Sequence, residues 1–427
     1  MKLAVIGYGP GGIAAATAAK TFDRNTEVTI YTGESIDAHR KPGASLALAD
    51  PDTKGLVINN WTADTLGKKG IEVVRGTHVT SIDVDSKTLE IRSSNNRLTT
   101  AKYDKLVLAV GGVPSVPSVE GTDLDGVFTI QDMGDTAAIG RRLKSIKSVV
   151  VVGAGFSGLE VAERMLDLEK EVHLVVRSRL MRRLLEPEMS NELKSRLPSA
   201  LIIHEGESPV GVTGANRVQG IELETATIPA QAVLFMTGVR PNLELATSMG
   251  LETGDLGGIR VSNLMETSHK DIYAVGDCVE MLDRYAKKPV LMPIASVAAR
   301  AGRQAGVAAV GGTKTYEDIS IRFQYDRLFD TDVVCVGHST TTATSLGIQS
   351  RVHYLEDTQE FTKVALVTSE EGILIGGQVI APRMGARIGY QIHQRIESSA
   401  KLDDRPLLEP LHKRMKDLLE ARLGPIR

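Results

Sequence analysis

An α/β fold with two open parallel sheets, followed by a C-terminal α+β region, is what this 427-residue sequence predicts. Three observations carry that reading. Two glycine-rich loops each follow a short apolar run: Gly7-Tyr8-Gly9-Pro10-Gly11-Gly12 after Lys2-Leu3-Ala4-Val5-Ile6, and Gly153-Ala154-Gly155-Phe156-Ser157-Gly158 after Val149-Val150-Val151-Val152. Two later apolar runs, Leu106-Val107-Leu108-Ala109-Val110 and Ala232-Val233-Leu234-Phe235-Met236, end in similar turn signals, Gly111-Gly112-Val113-Pro114 and Thr237-Gly238-Val239-Arg240-Pro241. The chain is also long enough for two or three domains, and its 42% hydrophobic content suffices for their cores.

Each glycine loop has the same physics. The first glycine makes the tight turn out of the strand, the second lets the backbone approach a pyrophosphate, and the third lets the helix pack on the sheet. The helix N-terminus then points N–H groups and partial positive charge at the phosphates. With 41 glycines in the chain one such loop is a weak signal. Two, each between an apolar strand and a helix such as Ile13-Ala14-Ala15-Ala16-Thr17-Ala18-Ala19, predict two dinucleotides held by one protein. The usual reason to hold two is to pass electrons between them.

Bulk properties exclude other classes. The net charge of −3 gives no nucleic-acid footprint, and no apolar run reaches the length of a membrane span. The first strand begins at residue 2, leaving no room for a signal peptide ahead of it. The two cysteines make no disulfide framework, and no Cys/His cluster has metal-ligand spacing. The expectation is a cytoplasmic protein without a structural metal.

Taken in order, Val28-Thr29-Ile30-Tyr31 reads as the second strand of the first unit. Val73-Val74, Val79-Thr80-Ser81-Ile82 and Leu89-Glu90-Ile91 read as later ones. The continuously apolar run 106–110 reads as a buried strand. A second unit runs from about Ser148 to Pro241. An alanine-rich helix is expected over 295–309, and a mixed region begins near Thr315. The chain closes on an amphipathic helix with Leu408, Leu411, Met415, Leu418 and Leu419 on one face. Lys413, Arg414, Lys416 and Arg422 accompany that stripe, a pattern open to dimer packing or to a membrane surface.

These motifs, with Val152-Gly153 through Gly158-Leu159-Glu160, Thr237 through Asn242 and Ile272-Tyr273-Ala274-Val275-Gly276-Asp277, resemble the pyridine nucleotide–disulfide oxidoreductase superfamily. The resemblance spans almost the whole chain. It implies two Rossmann-like domains: an FAD-binding domain over 1–112 and 244–313, and an NAD(P)H-binding domain over 113–243. Residues 314–427 would form an interface domain, which usually makes a homodimer. FAD would contact Gly7, Gly9, Pro10, Gly11, Gly12, Val79, Ala109, Val110 and Gly111, with Gly276 and Asp277 at its ribityl or phosphate end. The stretch 293–306, beginning Pro293 and Ala295, would pass under the flavin ring. The nicotinamide nucleotide would take Gly153, Gly155, Phe156, Ser157, Gly158, Thr237 and Gly238. Asp277 also suits a helix N-cap, a compatible role.

Members of that superfamily with disulfide or single-cysteine chemistry need a cysteine soon after the second strand. An ungapped count places it at Pro42, within Ala38-His39-Arg40-Lys41-Pro42-Gly43-Ala44-Ser45. No cysteine stands there, and thiolate chemistry needs a thiolate. The peroxidase members' first-loop histidine falls at Pro10. Cys278 and Cys335 read as small buried hydrophobes. The loop, with Arg40 and Lys41 set among the cofactor contacts, resembles that of rubredoxin and ferredoxin reductases. There a lysine near flavin N5 pairs with the glutamate of a Gly-Leu-Glu motif. Lys41 and Glu160 are the matching residues and the expected catalytic pair.

Nucleotide preference is read at the end of the second strand of each unit. An acid there binds a ribose 2′-hydroxyl, and a basic cluster accommodates a 2′-phosphate. In the second unit Arg177-Ser178-Arg179 follow the strand, with Arg182 and Arg183 beyond and no acid present. Guanidinium binds phosphate bidentately, so NADPH fits at least as well as NADH. In the first unit the acid's place holds Thr32, with Glu34 two residues on, and either can contact the FAD ribose.

The expected function is an FAD-dependent NAD(P)H oxidoreductase without a redox cysteine. Its acceptor would be oxygen, a quinone or dye, or a small electron-carrier protein. Two alternatives stay open. One is a nucleotide-binding sensor or scaffold with negligible turnover. The other is a coenzyme A-disulfide or persulfide reductase that uses Cys278 or Cys335.

Overall fold

The computed structural model describes residues 1–39, 44–50, 56–316 and 318–402. The first loop follows the strand Lys2–Ile6, the middle strand of a five-stranded parallel sheet. Its neighbours are Glu27–Tyr31, then Ile71–Val74, on one side, and Lys105–Leu108, then Ile272–Ala274, on the other. Ile272–Ala274 comes from far along the chain, so this sheet is built from two separate stretches. Leu3, Val5, Ile30, Leu106 and Leu108 are all fully buried. Each contributes about 1.5–3 kcal/mol relative to exposure.

The second sheet repeats the plan. Ser148–Val152 is central, with Glu171–Val176 and Leu201–Glu205 on one side and Ala232–Phe235 and Val127–Phe128 on the other. An antiparallel three-stranded meander accompanies each sheet: Thr77–Asp83, Thr88–Ser93 and Leu98–Lys102 in the first, Pro209–Gly214, Val218–Leu223 and Thr227–Pro229 in the second. The two sheets are tied where Gly112–Pro114 pairs antiparallel with Val239–Pro241. Asn242 N–H also donates to the Gly111 carbonyl at 3.1 Å.

The C-terminal region is a five-stranded antiparallel sheet in the order Phe323–Leu328, Thr331–Gly337, Leu374–Ala381, Thr362–Ser369, Ser350–Asp357, with the helix Gly385–Glu397 packed on it. The last amphipathic helix expected from sequence lies outside the described residues. Among the described residues no helix is long and apolar enough to cross a membrane.

The alanine-rich helix forms as Ala295–Ala309 and lies against the helix Pro10–Phe22. Small residues let the two backbones meet. A β-carbon on Gly302 would overlap the Gly11 carbonyl, and one on Gly306 would overlap that of Ala15. The first loop is thereby clamped between its own sheet and a helix nearly three hundred residues away.

Candidate cofactor and active site

The first loop leaves Lys2–Ile6 through Gly7 at φ +114°, where a β-carbon would overlap the carbonyl of Ala109. The second leaves Ser148–Val152 through Gly153 at φ +109°, where a β-carbon would overlap the carbonyl of Met236. Ala109 and Met236 each follow the adjacent strand of their own sheet. Gly12 and Gly158 close each loop back on that first glycine's carbonyl. The middle glycines differ from these: β-carbons on Gly9 and Gly155 would meet nothing within 4 Å. Both residues are N-caps of the helices Pro10–Phe22 and Phe156–Asp167, and neither helix has a side-chain cap. The orphan N–H groups of both helices thus face an open cradle, which is what a dinucleotide pyrophosphate requires.

The other expected contacts around the first loop follow the carboxyl ends of strands in the same sheet. Ala109, Val110 and Gly111 follow Lys105–Leu108, and Gly276 and Asp277 follow Ile272–Ala274. Asp277 lies against Gly112, its Cβ 3.4 Å from where a β-carbon there would stand. A strand, Val279–Leu282, follows it, so the N-cap alternative for Asp277 falls away. Pro293 and Ala295 open the clamping helix, whose Ala298 packs on Gly11 and Gly276. Thr32 is buried, and its hydroxyl accepts from Glu34 N–H at 3.2 Å. The Glu34 carboxylate lies 3.5 Å from buried His39. Val79 stands in the meander at an irregularity in its pairing.

Around the second loop, Phe156, Ser157 and Gly158 form the first turn of the helix, and Thr237 and Gly238 follow Ala232–Phe235. Thr237 Oγ1 donates to the Ser115 carbonyl in the paired linkers. Glu160 is buried, as are its chain neighbours Leu159 and Val161 in the same helix. Arg177 is exposed just beyond Glu171–Val176. Arg179 is held by a bond from Nη2 to the Leu185 carbonyl at 3.0 Å, and its Nε is buried without a partner. The segment is an irregular turn, and the next helix begins only at Pro187–Ser195. Lys41 and Arg40 lie outside the described residues. The short helix Leu46–Ala49 that follows them packs against the helix carrying Glu160.

Cys278 and Cys335 are both fully buried and unpaired. Burial pushes each thiol up to about 12. The charge of Asp277 adds to the rise at Cys278, and Arg322 partly opposes it at Cys335. Among the described residues no cluster of three His, Cys, Asp or Glu has the geometry of a metal site.

Sequence reasoning missed the contacts that dock the C-terminal sheet. Asp283 accepts from Tyr285 and Ala286 N–H at 2.9 and 2.7 Å and pairs with buried His338 at 3.0 Å. Buried Glu186 accepts from Thr340 N–H at 2.7 Å and from Gln378 Nε2 at 3.2 Å. Each is one polar residue in an ordinary stretch, with its partner fifty or more positions away and no local signal.

Residues 1–305 match the model of the pyridine nucleotide-disulphide oxidoreductase family. The chain belongs to that family. It is 27% identical over 413 residues, 94% of this chain and 90% of the relative, to the NAD(P)H coenzyme A polysulfide/persulfide reductase of Pyrococcus horikoshii. It is 28% identical over 409 residues, 92% and 89% of the two chains, to the NADH oxidase of Methanocaldococcus jannaschii. Its fold is similar to that of an NAD-dependent persulfide reductase from A. fulgidus, with TM-score 0.86 and 25% identity over 99% of this chain and 84% of that one. The protein is an oxidoreductase of the FAD- and nicotinamide-dependent class, and its two open glycine cradles fit those two dinucleotides.

Proposed function

We propose that this protein is an NAD(P)H oxidoreductase that reduces its acceptor without a redox-active cysteine. Bound FAD supplies the hydride-accepting and electron-donating chemistry. The chain's own residues bind, orient and set charge. The uncapped N-termini beginning at Pro10 and Phe156 hold the two pyrophosphates. Lys41 and Glu160 form an ion pair facing the flavin, where the lysine's charge favours the reduced, anionic cofactor. Arg177 and Arg179 take a 2′-phosphate, which favours NADPH. Oxygen, a quinone or dye, or a small carrier protein accepts the electrons. The working unit is a cytoplasmic homodimer formed through residues 314–427.

The observation that carries the reading is the state of the sulfurs. Pro42 stands where a redox cysteine would be, and both existing thiols are buried and pushed up to about 12. At neutral pH such thiols stay protonated and are poor nucleophiles. A second reading, reduction of a coenzyme A disulfide or persulfide through Cys335 or Cys278, is favoured by the relatives' activities. The double variant Cys278→Ser, Cys335→Ser separates the two. Full NAD(P)H-dependent reduction of a quinone and of coenzyme A persulfide by that variant supports the first reading. Selective loss of the persulfide activity supports the second.

A further inference from the structure

The turn that follows Glu171–Val176, residues 177–186, is held from two sides. On one side it grips the second glycine loop. Met181 stands at φ +46°, a conformation uncommon outside glycine, and its N–H donates to the Ala154 carbonyl at 2.9 Å. Ala154 lies between the first two glycines of that loop. Leu184 and Leu185 N–H donate back to the Met181 carbonyl at 2.7 and 2.9 Å. The Leu185 carbonyl accepts from Arg179 Nη2. One short piece of backbone thus holds both an edge of the cradle and the Arg179 guanidinium.

On the other side the same piece is tied to the C-terminal sheet. Glu186 is the N-cap residue of Pro187–Ser195, yet its side chain makes no cap bond. Its carboxylate accepts instead from Thr340 N–H at 2.7 Å, Thr340 Oγ1 at 2.5 Å and Gln378 Nε2 at 3.2 Å. Gln378 Oε1 in turn accepts the Glu186 N–H at 2.7 Å, so one amide holds the residue by its backbone and by its side chain. Gln378 is buried on Leu374–Ala381, the middle strand of the C-terminal sheet, and carries that strand's only polar side chain. A buried amide among apolar neighbours is stable only where its donor and acceptor are both matched. Here a single residue of the turn supplies both matches. Ser339 Oγ also donates to the Arg183 carbonyl at 2.7 Å. Leu180, Met181 and Leu185 pack in one core with Cys335, Ala365 and Ile380 of that sheet. A connecting turn is ordinarily mobile; this one has its apolar side chains and its last residue fixed by another layer.

We propose that Gln378 and Glu186 are positioning residues for the nicotinamide nucleotide. Through them the C-terminal sheet sets the shape of turn 177–186, which holds the Ala154 edge of the second cradle and aims Arg179. That role rests on the reading above, in which the second loop takes this nucleotide and Arg177 and Arg179 take its 2′-phosphate. Loosening the turn therefore weakens NADP+ more than NAD+, since only NADP+ uses the arginines as well as the cradle.

The test is an equilibrium titration of the oxidised, FAD-loaded protein with NADP+ and, separately, NAD+, which needs neither turnover nor an acceptor. Gln378→Leu removes both amide bonds and keeps a side chain of similar size. It should raise Kd for NADP+ about tenfold, the worth of one hydrogen bond to a charged group, and Kd for NAD+ about threefold or less. Flavin content should match that of the native protein. Glu186→Gln, which keeps an acceptor for Thr340 N–H, should fall between the native protein and Gln378→Leu. Thr340→Val deletes one half-buried hydroxyl and repeats the test should Gln378→Leu fold poorly, with a rise in Kd for NADP+ of about threefold. Gly153→Ala, titrated alongside, checks the underlying reading: unchanged NADP+ binding there overturns that reading and this role with it. Loss of NADP+ binding in flavin-loaded Gly153→Ala, with an unchanged Kd in Gln378→Leu and Thr340→Val, overturns the positioning role alone. Equal weakening of NADP+ and NAD+ together with loss of flavin in Gln378→Leu would make Gln378 a residue of the fold only, and overturns it too.

Discussion

Gly7 and Ala109 touch so closely that a β-carbon on Gly7 would overlap the Ala109 carbonyl. Gly153 stands in the same relation to Met236 in the second sheet. The two loops are therefore independent copies of one device, and each can be broken by a single methyl group. Gly7→Ala is expected to cost about 1–3 kcal/mol from the positive φ alone, plus the overlap, and to yield protein without bound flavin. Gly153→Ala should keep its flavin and lose nicotinamide nucleotide binding. Flavin absorbance and an NADPH binding titration on the two variants check the assignment. Flavin loss from Gly153→Ala would reverse it.

Glu160 is buried on the first turns of the second-loop helix, so its carboxyl is present for a reason other than solubility. Replacing it by Gln keeps the shape and removes the charge that would hold Lys41. Glu160→Gln and Lys41→Met should each slow anaerobic flavin reduction about 10- to 100-fold in stopped flow, with little change in NADPH affinity. The double variant should be no slower than the slower single one. An unchanged rate in Lys41→Met would remove that residue from the mechanism.

Arg179 is aimed by its bond to the Leu185 carbonyl, and Arg177 is exposed beside it. Arg177→Ala and Arg179→Ala should each raise KM for NADPH about tenfold, the worth of the charged hydrogen bond to the 2′-phosphate proposed for each. KM for NADH should stay within about twofold, because the 2′-phosphate is the only group at stake. Equal effects on both coenzymes would assign these arginines to the shared pyrophosphate or to the fold.

Asp283 and His338 join the hairpin of Val279–Leu282 and Pro289–Leu291 to the C-terminal sheet. Burial pushes the Asp283 carboxyl up, but the His338 hydrogen bond and charge and the N–H groups of Ala286 and Tyr285 outweigh it and hold its pKa below the ordinary 3.8. A carboxyl lowered on folding contributes stability that is present above 3.8 and is lost as the pH falls below it. Asp283→Ala leaves His338 buried without its partner and should cost about 3–5 kcal/mol at pH 7. Urea melts from pH 7 to 3 should show the native protein's advantage over the variant shrinking only at the acid end. An advantage that is constant across that range would remove the carboxylate from the account.

The parts of the fold that obey local rules were legible in the sequence. The apolar runs ending at Ile6 and Val152, the glycines after them and the helix Ala295–Ala309 declare themselves within a dozen residues. What was not legible depends on distant partners. The alanine-rich pattern predicted a helix over 295–309, but not that Gly302 and Gly306 would seat on Gly11 and Ala15. Asp283 and Glu186 sit in stretches with no periodicity or spacing that marks them. Their meaning appears only when His338 and Thr340 arrive from another layer. Asp277 shows the opposite error: aspartate suits an N-cap, but the chain continues as a strand, so local preference yielded to the sheet.

The most direct test of the central claim is an anaerobic titration of the flavin-loaded protein with NADPH and, separately, NADH, following flavin absorbance. The account predicts complete bleaching at one equivalent per flavin, with NADPH bleaching at the lower free concentration. Bleaching that requires two equivalents would reveal a second redox centre and contradict the claim that no cysteine takes part; a spectral shift without bleaching would contradict the oxidoreductase reading itself.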